Sequence, residues 1–164
     1  MIGGDAVLAL LTLTEERADK IDRPLDSAGV YVRDRSVRRI KMGGDPPWPP
    51  AKYPQDHRLG VDSGVMWRSI TMETIGPRSR RVGTNVKYAK YFQEGTGQFA
   101  GRSGWVQQAQ AGSAIAFTLG GKTFLRRSVA HIGQPPRPFL YVDDKDRVAI
   151  QAIFARWLRE GQAA

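Results

Sequence analysis

The side chains best equipped for chemistry in this sequence are its arginines. Arg33, Arg35, Arg38, Arg39 and Lys41 fall within nine residues, Arg78, Arg80 and Arg81 form a second group, and Arg126 and Arg127 a third. Guanidinium forks in clusters pair with phosphates or carboxylates. No aromatic residue interleaves with these clusters as a base-stacking platform requires, so they suit sequence-independent contacts to a polyanion or to acidic protein surface.

The remaining candidates fail on context. Gly95-Thr-Gly97-Gln-Phe-Ala100 has the glycine spacing of a dinucleotide fingerprint. A helical pattern precedes it where a buried strand is needed, and no acidic residue occurs between Glu94 and Asp143. His57 and His131 stand 74 positions apart with no acidic partners at metal-ligand spacing. Asp143, Asp144 and Asp146 lack the glycine and distal glutamate of a calcium loop, and helix capping accounts for them. Ser63 is not in a nucleophile elbow. With no cysteine in the chain, disulfides, thiolate metal sites and a thiol nucleophile are excluded. These readings predict no catalytic set, no metal and no cofactor.

The chain has 164 residues and a formal net charge of +9. That length suits a single domain over 1–164 with a modest core, and the excess charge suits a polyanionic partner. The longest apolar stretch, Ala6 to Leu13 broken by Thr12, is far below the ~20 residues that span a bilayer. It has no basic leader or cleavage pattern, so no membrane association is expected.

The elements that must position these residues follow from periodicity. Residues 5–22 read as a helix with a short apolar stretch, Val7 to Leu11. Pro24 interrupts it, and a second helix covers 27–42 with Val30, Val37 and Ile40 at helical offsets. Gly43-Gly44 ends it. Residues 1–44 are thus the helical N-terminal part. Five prolines between Asp45 and Pro54 enforce a loop holding Trp48. A loop- and strand-rich core then runs over 45–142. Residues 69–75 alternate as a strand with one buried face, Gly76-Pro77 turns, and Arg80 to Thr84 returns. Val86 to Gln93 reads as a short helix with Tyr88 and Phe92 toward the core. A glycine-rich excursion covers 95–113. Ala114–Leu119 and Lys122–Val129 flank Gly120-Gly121 as a hairpin. Asp143 caps a closing helix over 143–160, whose Ile153 and Trp157 are expected against the sheet carrying Ile70 and Met72. The order predicts an α+β fold, a small antiparallel sheet packed by the N- and C-terminal helices, with extended arms.

Four short motifs, in order, carry a resemblance. Asp45-Pro-Pro-Trp48-Pro-Pro resembles the Pro/Gly-Trp-Pro loop of the phage virion-morphogenesis (tail-completion) family of Mu-like phages. Leu59-Gly-Val-Asp-Ser-Gly-Val-Met66-Trp-Arg68-Ser-Ile70 is similar to that family's Ser/Thr-Gly-x-Leu-x-x-Ser-Ile segment, with Met66 in place of leucine. Val82-Gly-Thr-Asn-Val-Lys-Tyr88-Ala-Lys-Tyr-Phe-Gln-Glu94-Gly-Thr96 resembles its Val-Gly-Thr/Ser-Asn block. Arg137-Pro-Phe139-Leu followed by Asp143 to Asp146 resembles its ending before a final helix. Related neck proteins of lambdoid siphophages share much of this pattern.

The resemblance implies a structural virion protein of the neck, completing the tail or joining head to tail, assembled in the host cytoplasm. It implies a homo-oligomeric ring, six subunits favoured and twelve allowed, against neighbouring neck, connector and tail-tube proteins, with packaged double-stranded DNA passing through. Trp48, Arg68, Tyr88, Glu94, Arg137 and Phe139 are the motif positions that could contact other subunits. Arg33, Arg35, Arg38, Arg39, Arg78, Arg80 and Arg81 are the candidates to face the channel or an acidic neighbour. Arg137, beside prolines, is expected to tie its segment to an intrachain acidic or carbonyl acceptor. The competing reading is a basic, non-sequence-specific nucleic-acid-binding protein acting alone.

Overall fold

A computed structural model describes residues 4–50, 61, 63–119 and 121–161. The fold is α+β, with five α-helices and antiparallel strand pairs. His57, Leu59, Asp62 and Gly120 lie outside the described residues. The chain divides into two compact units, one built from 1–37, 70–83 and 141–164, the other from 38–69 and 84–140.

The first unit is helical with one hairpin. Helix α1 spans Gly4–Asp19 and α2 spans Asp22–Met42, its last residues belonging to the second unit. Pro24 lies in the first turn of α2, where its missing N–H costs no helical bond. The break between the helices therefore falls before Pro24 and not at it. Strands β1 (Thr71–Gly76) and β2 (Ser79–Gly83) pair antiparallel, with Met72 opposite Val82. Met72 and Val82 are half-buried while Thr71, Glu73 and Arg81 are exposed, as an alternating strand requires. Gly29 of α2 is where the hairpin meets the helix: a β-carbon there would collide with the Met72 sulfur. Helix α5 spans Asp144–Glu160 and starts with a capping box, Asp143 accepting from the Asp146 amide while Asp146 accepts from the Asp143 amide. Trp157 on α5 is buried, but its indole N–H donates to the Arg17 carbonyl of α1 at 2.9 Å, and Arg23 lies over its ring. The hydrogen bond of Trp157 thus goes to α1 and not to the strand that carries Met72.

In the second unit, α2 ends at Gly43 and Gly44, both at positive φ. Gly44 also admits the Trp48 ring, which a β-carbon would meet at 2.5 Å. A one-turn helix α3 (Val65–Arg68) and helix α4 (Ala89–Glu94) follow. The excursion after Gly95 holds a 3-10 turn at Gly97–Ala100 and strand β3 (Trp105–Gln108). Strands β4 (Ile115–Leu119) and β5 (Lys122–Arg126) pair antiparallel as the expected hairpin. Strand β6 (Ser128–His131), expected as a continuation of β5, instead pairs with β3. The Ala109 amide donates to the Arg127 carbonyl at 2.8 Å between the two ladders, which are otherwise separate two-stranded sheets. Among the described residues, no helix is long and apolar enough to cross a membrane.

Candidate functional site

Residues from the four motifs are tied together in the second unit. Trp48 reaches from its proline-flanked loop and donates its indole N–H to the Pro138 carbonyl at 2.9 Å. Its ring stands edge-on to Phe92 at 5.1 Å, and Phe92 packs against Phe139 at 6.2 Å. Edge-to-face packing at these separations is favourable beyond the area it buries. Gln93, the next residue on α4, clamps the Arg-Pro-Phe-Leu segment. Its side-chain oxygen accepts from the Phe139 and Leu140 amides at 2.9 and 3.1 Å, and its side-chain nitrogen donates to the Leu140 carbonyl at 3.2 Å. A side chain that satisfies three backbone groups of an extended segment does for it what a neighbouring strand would do. The Arg137 amide adds a bond to the Phe92 carbonyl at 2.8 Å. Ser69 and Thr84 join hydroxyls at 2.5 Å, which links the segment before β1 to the Val-Gly-Thr block.

The strip after α4 runs beside residues 132–134. Thr96 donates its amide to the Gln134 carbonyl and Gln98 to the Ile132 carbonyl, both at 2.9 Å. At Gly133, with φ +102°, a β-carbon would overlap the Thr96 carbonyl, so only glycine allows this crossing. The glycines that imitate a nucleotide fingerprint therefore serve backbone approach.

Phe139 is 1% exposed and is a core residue. Arg137 is 3% exposed, its guanidinium lies 5.9 Å from the Phe92 ring centre, and its Nε has no hydrogen-bond partner. Burial lowers its pKa from the usual arginine value. No side-chain hydrogen bond or ion pair joins Arg137 to a described residue, so the tie to this segment is made by the backbone and by Gln93. Tyr88 sits just outside the first turn of α4 and is 48% exposed, because Ala89 takes the buried position. Glu94 is exposed on the wall of an open groove of about 730 Å³, with Lys90, Tyr91, Arg102 and Trp105. Arg68 is exposed and, with Lys41, flanks the Trp67 ring, at 4.9 and 4.0 Å.

The seven candidate arginines separate into two groups. Arg35 pairs with the buried Asp146 at 2.8 Å and reaches Asp143 at 3.8 Å. Arg80, its side chain 6% exposed, bridges Asp22 and Asp26 on α2, and those hydrogen bonds raise its pKa. Arg39 is 1% exposed, and Arg33 pairs with the adjacent Asp34 at 2.7 Å. Only Arg38, Arg78 and Arg81 are exposed with no ion pair among the described residues. The sequence missed the Gln93 clamp and the pairing of Asp146 with Arg35, while the capping role read for Asp146 is one it has. Gln93 lies inside a quoted motif, and Asp146 three residues after its cap, so position was the available signal.

His131 stacks on Trp105 at 5.0 Å, and Asp143 and Asp146 are engaged in capping and in the pair with Arg35. No family model, curated protein or solved structure matches this chain.

Proposed function

We propose that this chain is a structural virion protein of a phage neck, completing the tail or joining head to tail as a ring around the DNA channel. The carrying observation is that residues of the four motifs are linked within the second unit, three motifs through Trp48, Phe92, Gln93 and Phe139 and the fourth through the Ser69–Thr84 hydroxyl contact. Residues scattered from 45 to 140 in sequence thus make one framework, the expected behaviour of a family's shared core.

The distribution of apolar surface also supports a subunit. Among the described residues the buried apolar side chains are Ala28, Ile40, Met66, Ile70, Ala89, Phe139 and Trp157, while Leu8, Leu11, Trp105, Val106 and Leu125 are all at least half exposed. A protomer with so small a core and so much open apolar surface gains most of its remaining burial by association. Repeated head-to-tail contacts close into a ring when the rotation between successive copies closes.

Light scattering on the purified protein, with negative-stain imaging, tests the reading. A ring, and conversion of separate heads and tails into joined particles on its addition, is the expected result. A monomer whose DNA affinity falls steeply with salt supports instead the lone nucleic-acid-binding protein, which the net charge of +9 favours.

A further inference from the structure

The β4–β5 hairpin has an aromatic and cationic face and, among the described residues, no third strand pairs with it. Its register places Phe117 opposite Phe124 and Ile115 opposite Arg126, with Lys122 at the turn end. Residues two apart on a strand share a face, so Lys122, Phe124 and Arg126 line the side that carries Ile115 and Phe117. The two phenyl rings stack at 5.6 Å, and Arg126 lies over Phe124. Phe117 is 37% exposed, and Lys122 and Arg126 are exposed as well. A two-stranded ribbon of this kind is marginal in water unless its apolar face is covered. No acidic residue occurs anywhere from 95 to 142.

A complementary surface exists on α1. Leu8, Leu11, Glu15 and Asp19 recur at three- and four-residue spacing and therefore form one stripe. Leu8 and Leu11 are 64% and 57% exposed, and Glu15 and Asp19 are exposed with no ion pair among the described residues. The opposite side of α1 is the one engaged by α5: Arg17 donates to the Leu158 and Arg159 carbonyls at 2.8 and 2.6 Å. The stripe is ~16 Å long at the helical rise, and the ribbon face is ~14 Å at the strand rise.

We infer that the ribbon of one copy seats on the α1 stripe of a neighbouring copy, Phe117 and Phe124 against Leu8 and Leu11, with Lys122 and Arg126 beside Glu15 and Asp19. The occupant is a second copy of this chain for an electrostatic reason. Two ribbon faces placed together would oppose cation to cation, and two stripes would oppose acid to acid. Only unlike surfaces match, so the contact is heterologous, as ring closure demands. The apolar content of the face favours protein over duplex DNA, whose backbone offers nothing to cover phenyl rings. The inference rests on the ring reading above and specifies its contact.

Charge reversal of exposed residues tests it without disturbing the core. One variant carries Lys122→Glu and Arg126→Glu, the other Glu15→Lys and Asp19→Lys. Each alone is expected to weaken assembly at least tenfold, read as monomer mass by light scattering where the unaltered chain is a ring. Mixed in equal amounts, the two variants are expected to assemble again, because every junction in an alternating ring then pairs opposite charges. Recovery on mixing also shows that both are folded. If the variants form rings as the unaltered chain does, or if mixing restores nothing, the ribbon–stripe contact is wrong and the ring reading stands. If the unaltered chain is itself a monomer at every concentration, both fail. Loss of DNA binding by the ribbon variant with assembly intact would assign the face to nucleic acid and overturn the proposal.

Discussion

Gln93 and Phe139, 46 positions apart, are joined by a hydrogen bond from the Phe139 amide to the Gln93 side-chain oxygen at 2.9 Å. The same oxygen takes the Leu140 amide, and the Gln93 nitrogen serves the Leu140 carbonyl. Replacing Gln93 with leucine would leave these partly buried backbone groups without partners. The expected cost is roughly 2–4 kcal/mol, since an unsatisfied buried group forfeits its full desolvation energy. Gln93→Glu keeps both acceptor bonds but sets a carboxylate oxygen against the Leu140 carbonyl in place of the donor, so it should cost less than Gln93→Leu while still destabilising. Chemical denaturation of the two variants checks the order. Equal losses would show that the clamp contributes only packing.

Asp146 is 1% exposed and holds three groups: the Arg35 Nε at 2.8 Å, the Tyr31 hydroxyl at 3.1 Å and the Asp143 amide at 3.2 Å. Asp146→Ala should destabilise by about 3–5 kcal/mol, because removing one member of a buried pair strands the other. Arg35→Met, which leaves the buried Asp146 carboxylate without its cation, should cost at least as much, because Asp146→Ala leaves Arg35 19% exposed along its side chain and still within 3.8 Å of Asp143.

Tyr31 supplies a pH signature. Burial, followed by its hydrogen bond to Asp146, raises the phenol above its usual value of 10.0. A group whose folded pKa is raised contributes stability that is complete below the unfolded pKa and is lost as pH rises through the folded value. Stability should therefore decline above about pH 10, and Tyr31→Phe should flatten that part of the decline. Urea midpoints measured from pH 8 to 11 on both proteins decide it. Parallel curves would show that Tyr31 does not couple.

What the sequence revealed depended on how local each signal was. The Asp143 cap and the Gly43-Gly44 stop act within a few residues and are where the pattern put them, while the strand expected over 69–75 runs over Thr71–Gly76 and alternates only as far as Glu73, Thr74 and Ile75 both being exposed. The β3–β6 pairing joins Trp105 to His131 across an inserted hairpin, and Trp-Val-Gln-Gln has no alternation to announce it. Arg35 had Asp34 beside it in sequence, yet its partner is Asp146, 111 positions away. Long-range ion pairs leave no spacing pattern. The same holds for Arg80, whose acids lie 54 and 58 positions earlier on α2.

Trp157→Ala should cost roughly 3–5 kcal/mol, the range for truncating a large buried aromatic. The side chain is 5% exposed and its indole N–H also fixes the end of α1 through Arg17. Trp157→Phe should recover most of the packing and leave a deficit of about 1 kcal/mol for the lost hydrogen bond. A melting midpoint for Trp157→Ala within about 2 °C of the unaltered chain, against the several degrees such a loss implies, would place that face outside the core.

The positive charge makes the last testable claim. Reversal of Arg35 or Arg39 cannot report on DNA, since Arg35 holds Asp146 and Arg39 is 1% exposed, and either change would act through folding. Arg38, Arg78 and Arg81 are exposed and make no ion pair with a described residue, so charge changes there leave the described framework intact. A duplex passing through a ring meets such residues as a screened, sequence-independent attraction, because phosphate contacts position without specifying. Each phosphate neutralised contributes about 0.9 to the slope of log affinity against log salt. Arg38→Gln, Arg78→Gln and Arg81→Gln combined should therefore lower that slope by up to about 2.7 per subunit engaged. Melting behaviour should stay within ~0.5 kcal/mol per site of the unaltered chain, as expected for exposed charges. A filter-binding salt titration on duplexes of two unrelated sequences reads the result. An unchanged slope would assign the three arginines to solvation or to an acidic neighbouring ring, and a slope that differed between the two sequences would contradict contacts confined to phosphate.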